Sequence, residues 1–508
     1  MNTPRAPRDG RQDPGGRLSV CPQPWYHAKT SHRVPTSPLI ASFRLTIMNV
    51  NQLFVRTLMP VMLLVSACNG SGNYPVHSHV EGTFSVRSEI DSTRNYANFR
   101  VSVLGQKEGN VDTLGTALTG ADGSFVMDVH APEPGVYPIS VDRGEGELAM
   151  GEFVAVDGDS VRVSATFPLG ARRLRIVSPE NAAWTAYRNA KVQHNYAMAE
   201  LIGAGDYTAD MMERVITQTS TVLWNIQSTY PETIGGNLAK AESVIMMEGW
   251  NDSLVVARLR EIAPSNASMV EVARAARRSI ARLEGGAASL RYLTQLVDEV
   301  PEGMRAGILA EAVVAYADSN AATEAVEAAT ELRRNYPDSP WAQWAIRATY
   351  DLENLQPGME APAFALVDRE GQSLTSSSLS GRFVILEFFD PLEPIFQREM
   401  AVRDYLAGTI PEALFQYVSV SVEADEAVNQ ALLEEGARPG RFVFSDEGIE
   451  QQIVQDFNVH IMPTRFLIDP DGRIVARYTG PALDDLESDL ITIINSVNEL
   501  ADRLPQRP

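Results

Sequence analysis

The hydrophobic period of the chain changes twice along its length, and that change restricts it to a multidomain α+β architecture. From about Val76 to Ser178, apolar and polar residues alternate, as in Phe99-Arg-Val-Ser-Val and Asp159-Ser-Val-Arg-Val-Ser-Ala, with turns such as Ala121-Asp-Gly and Glu133-Pro-Gly between the runs. A period of two puts one strand face in a core and the other in water, so residues 76–178 read as a small antiparallel β-sandwich. From Pro179 to about Leu355 the period becomes helical, with breaks at Gly203-Ala-Gly205, Pro264 and Gly285-Gly286, which predicts a helical middle domain over 179–355. From Pro357 onward apolar strand-like runs, among them Phe383-Val-Ile-Leu-Glu-Phe-Phe, alternate with helical stretches. That alternation predicts an α/β sheet with parallel strands over 356–508.

Upstream of these domains, the run from Thr57 to Ala67 is apolar or small, follows Arg56 and stops at Cys68, after which comes Asn69-Gly-Ser-Gly-Asn. This is the profile of an export signal. About ten apolar residues fall short of the roughly 20 that a membrane-crossing helix needs. Residues 1–47 are rich in Pro and Arg and too long for the basic head of such a signal, so Met48 is read as the start. Residues 1–67 are then an upstream segment with its signal peptide, and 68–75 a tether.

The segment Leu64-Val65-Ser66-Ala67-Cys68 resembles the bacterial lipobox. The resemblance implies that Cys68 takes a diacylglycerol on sulfur, that its amine is acylated after cleavage, and that several chains together anchor the protein stably to a membrane. Asn69 supplies no charged retention signal, which favours the outer over the inner membrane, facing the periplasm.

Only two cysteines occur, Cys21 and Cys68, so a disulfide framework is excluded. If Met48 is the start and Cys68 is a thioether, the mature protein has no free thiol. The 65 acidic against 43 basic residues, a formal charge of −22, disfavour nucleic acid as a partner, because phosphates demand a basic footprint.

The residues 76–178 resemble in layout the β-rich domain that precedes thioredoxin-like domains in envelope proteins of Bacteroidota-type bacteria, notably at Gly123-Ser-Phe-Val. Within 309–340, Tyr316, Ala325 and Pro337 are spaced like one tetratricopeptide-like helix pair closed by Asn335-Tyr-Pro-Asp-Ser-Pro. One copy is not an array, and this pair, with Trp341 and Trp344, reads as ordinary helical packing.

In the last domain, Gly358-Met-Glu-Ala-Pro-Ala-Phe-Ala-Leu, Leu379-Ser-Gly-Arg-Phe-Val-Ile-Leu-Glu-Phe-Phe and Phe457-Asn-Val-His-Ile-Met-Pro-Thr-Arg-Phe-Leu-Ile-Asp-Pro-Asp-Gly-Arg-Ile resemble motifs of the thioredoxin-like proteins of the envelope disulfide-reductase and AhpC-TSA-related group. The resemblance covers about 150 residues. It implies a thioredoxin-like fold and a cis-proline at Pro463, with Met462, Pro463 and Thr464 forming the groove where the family pairs substrate backbone.

In that family a Trp-Cys-x-x-Cys turn follows the second motif, because a helix N-terminus lowers the thiol pKa and exposes a thiolate. Here Leu392-Glu393-Pro394-Ile395-Phe396 stands there, followed by Gln397-Arg-Glu-Met. The resemblance places Glu393 at the nucleophilic cysteine and Phe396 at the resolving one, with Pro394 and Ile395 between. No catalytic residue is assigned: disulfide exchange and peroxide reduction both need a thiol, and no cysteine follows residue 68.

Glu393 reads as a helix cap rather than an acid/base group, and Phe396 as an apolar wall of the groove. No cofactor or metal is expected. The seven histidines are scattered, the closest pair, His77 and His79, falls in the tether just after the anchor, and His460 stands alone. No Walker-type loop, dinucleotide fingerprint or serine elbow sits in a fitting context.

Three functions stay open. The first is an envelope module that binds proteins or peptides, held at the membrane by its lipid. The second is a thiol–disulfide oxidoreductase or peroxiredoxin-type antioxidant, as the family suggests. The third is a spacer lipoprotein.

Overall fold

The computed structural model describes residues 74–107, 110–169, 173–205, 207–409, 411–434 and 438–503. Cys21, the segment expected to direct export and Cys68, the expected lipidation position, lie outside the described residues. The described chain falls into two compact units, 74–311 and 312–503.

The first unit opens with eight strands: β1 (Val76–Val86), β2 (Phe99–Lys107), β3 (Asn110–Leu118), β4 (Ser124–Ala131), β5 (Gly135–Arg143), β6 (Gly146–Ala155), β7 (Ser160–Phe167) and β8 (Arg175–Val177). They form two four-stranded sheets, β4-β1-β7-β8 and β3-β2-β5-β6. Along β1 every second side chain is buried, as the period of two requires. Val80, Phe84, Phe99, Val101, Phe125, Phe153, Val163 and Phe167 meet in one core.

The expectation of a purely antiparallel sandwich needs correction, because β1 runs parallel to β7, with Val80 opposite Val161 and Phe84 opposite Ala165. The chain leaves the first sheet after β4, builds the β5–β6 hairpin in the second, and returns in the same direction. A period of two looks the same in parallel and antiparallel pairs, so the sequence could not separate them.

Seven helices follow: α1 (Pro179–Ala204), α2 (Ala209–Thr229), α3 (Ile234–Ile245), α4 (Asp252–Leu259), α5 (Met269–Glu284), α6 (Gly286–Glu299) and α7 (Glu302–Asp318). Ser178 caps α1, its Oγ accepting from Asn181 N at 3.2 Å, and Pro179 opens the first turn. The Asn181 amide reaches back to β6, accepting from Val154 N at 2.9 Å and donating to Val154 O at 3.2 Å. That pair ties α1 to the sandwich by satisfying backbone groups that β6 would otherwise bury unpaired.

The second unit contains the end of α7, then α8 (Ala322–Asn335) and α9 (Pro340–Asn354), and a five-stranded sheet. Its strands are β11 (Phe383–Phe389), β12 (Phe415–Ser421), β13 (Arg441–Val443), β14 (Thr464–Ile468) and β15 (Ile474–Thr479), in the order β13-β12-β11-β14-β15; a short hairpin of β9 (Ala365–Val367) and β10 (Ser373–Thr375) precedes them. Helices α10 (Pro394–Thr409), α11 (Glu426–Glu434), α12 (Gln452–Asp456) and α13 (Leu483–Arg503) complete the unit. β11, β12 and β13 are parallel, but β14 and β15 are antiparallel, so the sheet is mixed where a parallel one was expected.

β11 and β12 are buried on both faces, which is why Phe383–Phe389 reads as a continuous apolar run. One face packs Leu386, Phe388, Phe457 and Phe466, the other Ile385, Tyr417, Leu467 and Leu486.

The division between units falls at 311/312, whereas the sequence reading set boundaries at 178/179 and 355/356. The pair α8 and α9 goes with the C-terminal sheet, and Leu355 just after α9 enters the core of that sheet. Helical period tells which face a helix buries but not against which neighbour.

Candidate functional site

The thioredoxin-like site lies where β11 ends. Asp390 accepts from Glu393 N at 3.1 Å through its carbonyl and from Leu392 N at 2.8 Å through Oδ1, turning the chain into α10. Glu393 stands just before the helix: Gln397 N donates to its carbonyl at 3.1 Å, and Ile395 N lies 3.4 Å from Oε1. Its carboxylate therefore sits at the helix N-terminus with orphan amide donors close by, a capping arrangement. Pro394 is exposed at the first helical position, where the missing amide proton costs nothing. Leu392 is 59% exposed and Ile395 half-buried.

Phe396 departs from the expectation. It is 1% exposed and stacks on Phe389 with ring centroids 4.4 Å apart, beside Phe442 and Leu432. It fills the core and lines no groove, because the first turn of α10 rotates it toward the sheet, where an aromatic ring gains most from burial.

The Met462–Pro463 peptide bond is cis. Pro463 is buried, its carbonyl accepting from Gly480 N at 2.8 Å, while Thr464 is fully buried and donates through Oγ1 to Ile461 O at 2.7 Å. Met462 is half-buried on the Phe388 core, and Ile461 is 51% exposed. The register pairs Phe388 with Thr464, so the turn leaving β11 and the 461–463 segment entering β14 meet at one end of the sheet, an edge made of strand ends and not of an outer strand. Tertiary structure thus brings Glu393 and Pro394 to the same edge as Met462, Pro463 and Thr464, and turns Phe396 inward.

Beneath this edge sits a buried ion network that sequence reasoning missed. Glu387, fully buried on β11, accepts at Oε1 from Arg465 Nε at 2.8 Å and from Tyr417 OH at 3.2 Å; at Oε2 it accepts from Arg403 Nε at 3.3 Å and from Ser419 Oγ at 2.8 Å. Arg465 also reaches Glu399 Oε2 at 2.9 Å, and Arg403 lies over the Tyr417 ring at 4.6 Å.

Burial pushes the Glu387 carboxyl up, but the two guanidinium groups and the Ser419 hydroxyl outweigh it and hold Glu387 below the usual carboxylate range. Glu399 shares Arg465 with that stronger partner, and burial leaves its carboxyl raised. The signal was present in the sequence as two charges, Glu387 and Arg465, inside runs otherwise fit for a sheet interior.

His77 and His79 belong to β1 rather than to a tether. Antiparallel pairing sets His77 against His130, ring centroids 4.4 Å apart, and His79 Nδ1 lies 2.9 Å from Asp128 Oδ1. Among the described residues no group of three His, Cys, Asp or Glu side chains is placed to hold a metal ion. No helix among them is long and apolar enough to cross a membrane.

Residues 357–477 match the AhpC/TSA family. The chain is 31% identical over 131 residues to the thiol-disulfide oxidoreductase ResA of Bacillus anthracis, an alignment covering 26% of this chain and 73% of that protein. It is 26% identical over 137 residues to ResA of Halalkalibacterium halodurans, covering 27% and 76%. Among solved structures it is similar to a putative thiol:disulfide interchange protein DsbE from Chlorobium tepidum, with 25% identity over 27% of this chain and 98% of that one and a TM-score of 0.25. With a sheet whose central strand runs into a capped helix beside a cis-proline, and with 31% identity to a relative covered over 73% of its length, the chain belongs through its C-terminal thioredoxin-like domain to the AhpC/TSA family.

Proposed function

We propose that this protein is a membrane-anchored envelope lipoprotein whose thioredoxin-like domain has lost redox chemistry and holds extended polypeptide at the edge formed by Glu393, Pro394 and the Met462–Thr464 segment. The observation that carries the reading is the absence of sulfur for exchange: the sequence has no cysteine after Cys68. A thiolate is the nucleophile in disulfide exchange, and neither a carboxylate at 393 nor a buried phenyl ring at 396 can replace it. Peptide capture needs only backbone hydrogen bonds and side-chain pockets. Exposed Leu392 and Ile461 with half-buried Met462 offer apolar contact at that edge.

Anchoring through Cys68, outer rather than inner membrane, and partners among envelope proteins or peptides complete the proposal. A photo-crosslinking residue at Leu392 or Ile461, in cells, should capture polypeptides that the same residue at exposed Val126 in the sandwich does not. Equal capture at all three positions refutes peptide binding at this edge.

A second reading is favoured by the 31% identity to a thiol-disulfide oxidoreductase: the domain serves as an oxidoreductase or peroxiredoxin-type protein with cysteines supplied by a partner. Insulin reduction and peroxide consumption by the purified protein, alone and with envelope extract, separate the two. Turnover that depends on this chain overturns the binding module.

A further inference from the structure

α9 (Pro340–Asn354) lies outside the AhpC/TSA match, which begins at residue 357, yet it is bonded into the segment that carries the cis-proline. The joint is Asn458. Its backbone has φ 47°, and it ends α12 with two bonds, Asn458 N to Gln455 O at 2.9 Å and Val459 N to Val454 O at 3.0 Å. That is a helix-terminating motif in which glycine is the usual residue and asparagine is tolerated. The cap itself uses only the backbone, so the side chain is free for another task.

The Asn458 amide donates to Arg347 O at 3.0 Å and to Asp351 Oδ1 at 2.7 Å, both on α9. Asp351 Oδ2 is 3.0 Å from Arg477 Nη1, and Arg477 Nη2 donates to Asn458 O at 3.0 Å, which closes a ring of three residues. Asn458 Oδ1 is 2.7 Å from His460 Nε2, two residues along the segment, and Tyr350 OH donates to Asp456 O at 2.9 Å. Asp351 and Asn458 are buried, so these bonds form in a low dielectric where loss of one partner is expensive.

We infer that α9 is a clamp that positions residues 458–463 through Asp351 and Asn458, so that this helix is a working part of the binding edge and not a spacer before it. The importance of this clamp for ligand capture rests on the function proposed above; the clamp itself does not. From Asn458 the chain reaches Pro463 in five residues, through His460, exposed Ile461 and Met462. Asp351 and Asn458 touch no ligand and are positioning residues.

Asn458→Gly tests the clamp cleanly, because glycine keeps the left-handed backbone while deleting every side-chain bond to α9. In the full chain with Cys21→Ser and Cys68→Ser, a nitroxide is attached after Ile461→Cys and, separately, after Leu392→Cys on the other side of the edge. Asn458→Gly should shorten the rotational correlation time of the label at 461 at least twofold and leave the label at 392 unchanged. Tyr350→Phe, which removes one hydroxyl from an exposed side chain and leaves the buried bonds of Asp351 and Asn458 in place, should give a smaller change of the same sign at 461.

No change at 461 in either variant overturns the clamp, and so does an equal change at both labels in Tyr350→Phe. Because the label needs no ligand, failure of crosslinking in the unaltered protein would refute peptide binding while leaving the clamp standing.

Discussion

Replacing Glu387 by glutamine leaves two guanidinium groups inside the C-terminal unit with no carboxylate between them. Arg465 and Arg403 have side chains 0% and 1% exposed, and Glu387 is their shared acid. Removing one partner of a buried pair costs about 3–5 kcal/mol; Arg465 keeps Glu399 and Arg403 keeps Asp404, which puts the loss at the lower end of that range. Against a typical domain stability of about 5–15 kcal/mol that is a large part of the whole.

The loss is read by urea titration with hydrogen exchange at β11 and β14, which reports this unit alone. E387L/R403M/R465L should recover most of the stability, because well-packed apolar replacements of a buried ion cluster are often neutral.

The pH dependence supplies a second check. A carboxyl held below its ordinary range contributes stability that is present above the unfolded value of about 4.3 and is lost as pH falls through the folded value. Asp351 and Glu399, raised by burial, act with the opposite sign: their protonation relieves a cost as pH falls through their folded values. Both proteins keep Asp351 and Glu399, so as pH falls below about 4.3 the wild type, which alone loses the Glu387 contribution, should lose stability with acid more steeply than Glu387→Gln. A loss under about 1 kcal/mol in Glu387→Gln, against the 3–5 kcal/mol expected, or equal acid slopes in the two proteins, would refute the account.

Other outcomes follow from burial and close approach. Phe396→Ala should cost about 3–5 kcal/mol and Glu393→Ala only about 0.5–2 kcal/mol, both read by the same exchange titration; the reverse order would mean that the first turn of α10 is rotated from its position here. Gly82→Ala should destabilise the sandwich by more than about 1–3 kcal/mol, because a Cβ there lies 2.3 Å from Val163 O and 2.4 Å from the Phe125 ring. A melting temperature unchanged within error would show that the strands can move apart at that point.

Much of the C-terminal domain was legible before any coordinates. The run Phe383–Phe389 reads as a buried strand because all its residues but one are apolar, and Glu393 reads as a cap because a carboxylate just before a helix lies close to its free amides. The exception within the run, Glu387, was passed over. Its partners Arg403 and Arg465 are 16 and 78 residues away, and no local pattern links them. Phe396 was misplaced for a related reason: at the first turn of a helix the inward direction depends on how the preceding turn enters, and Asp390 sets that angle.

The sequence alone determined that no cysteine follows residue 68 and that sandwich, helical and α/β segments come in that order. These depend on residue type and local period, which are properties of neighbours along the chain. Tertiary structure alone decided that β1 runs parallel to β7, that Phe396 fills a core, that His130 meets His77, and that α9 is bonded to Asn458. Each of these pairs residues far apart in sequence, and such pairs are selected by burial and hydrogen-bond satisfaction over the whole unit rather than by the pattern on either side of the bond.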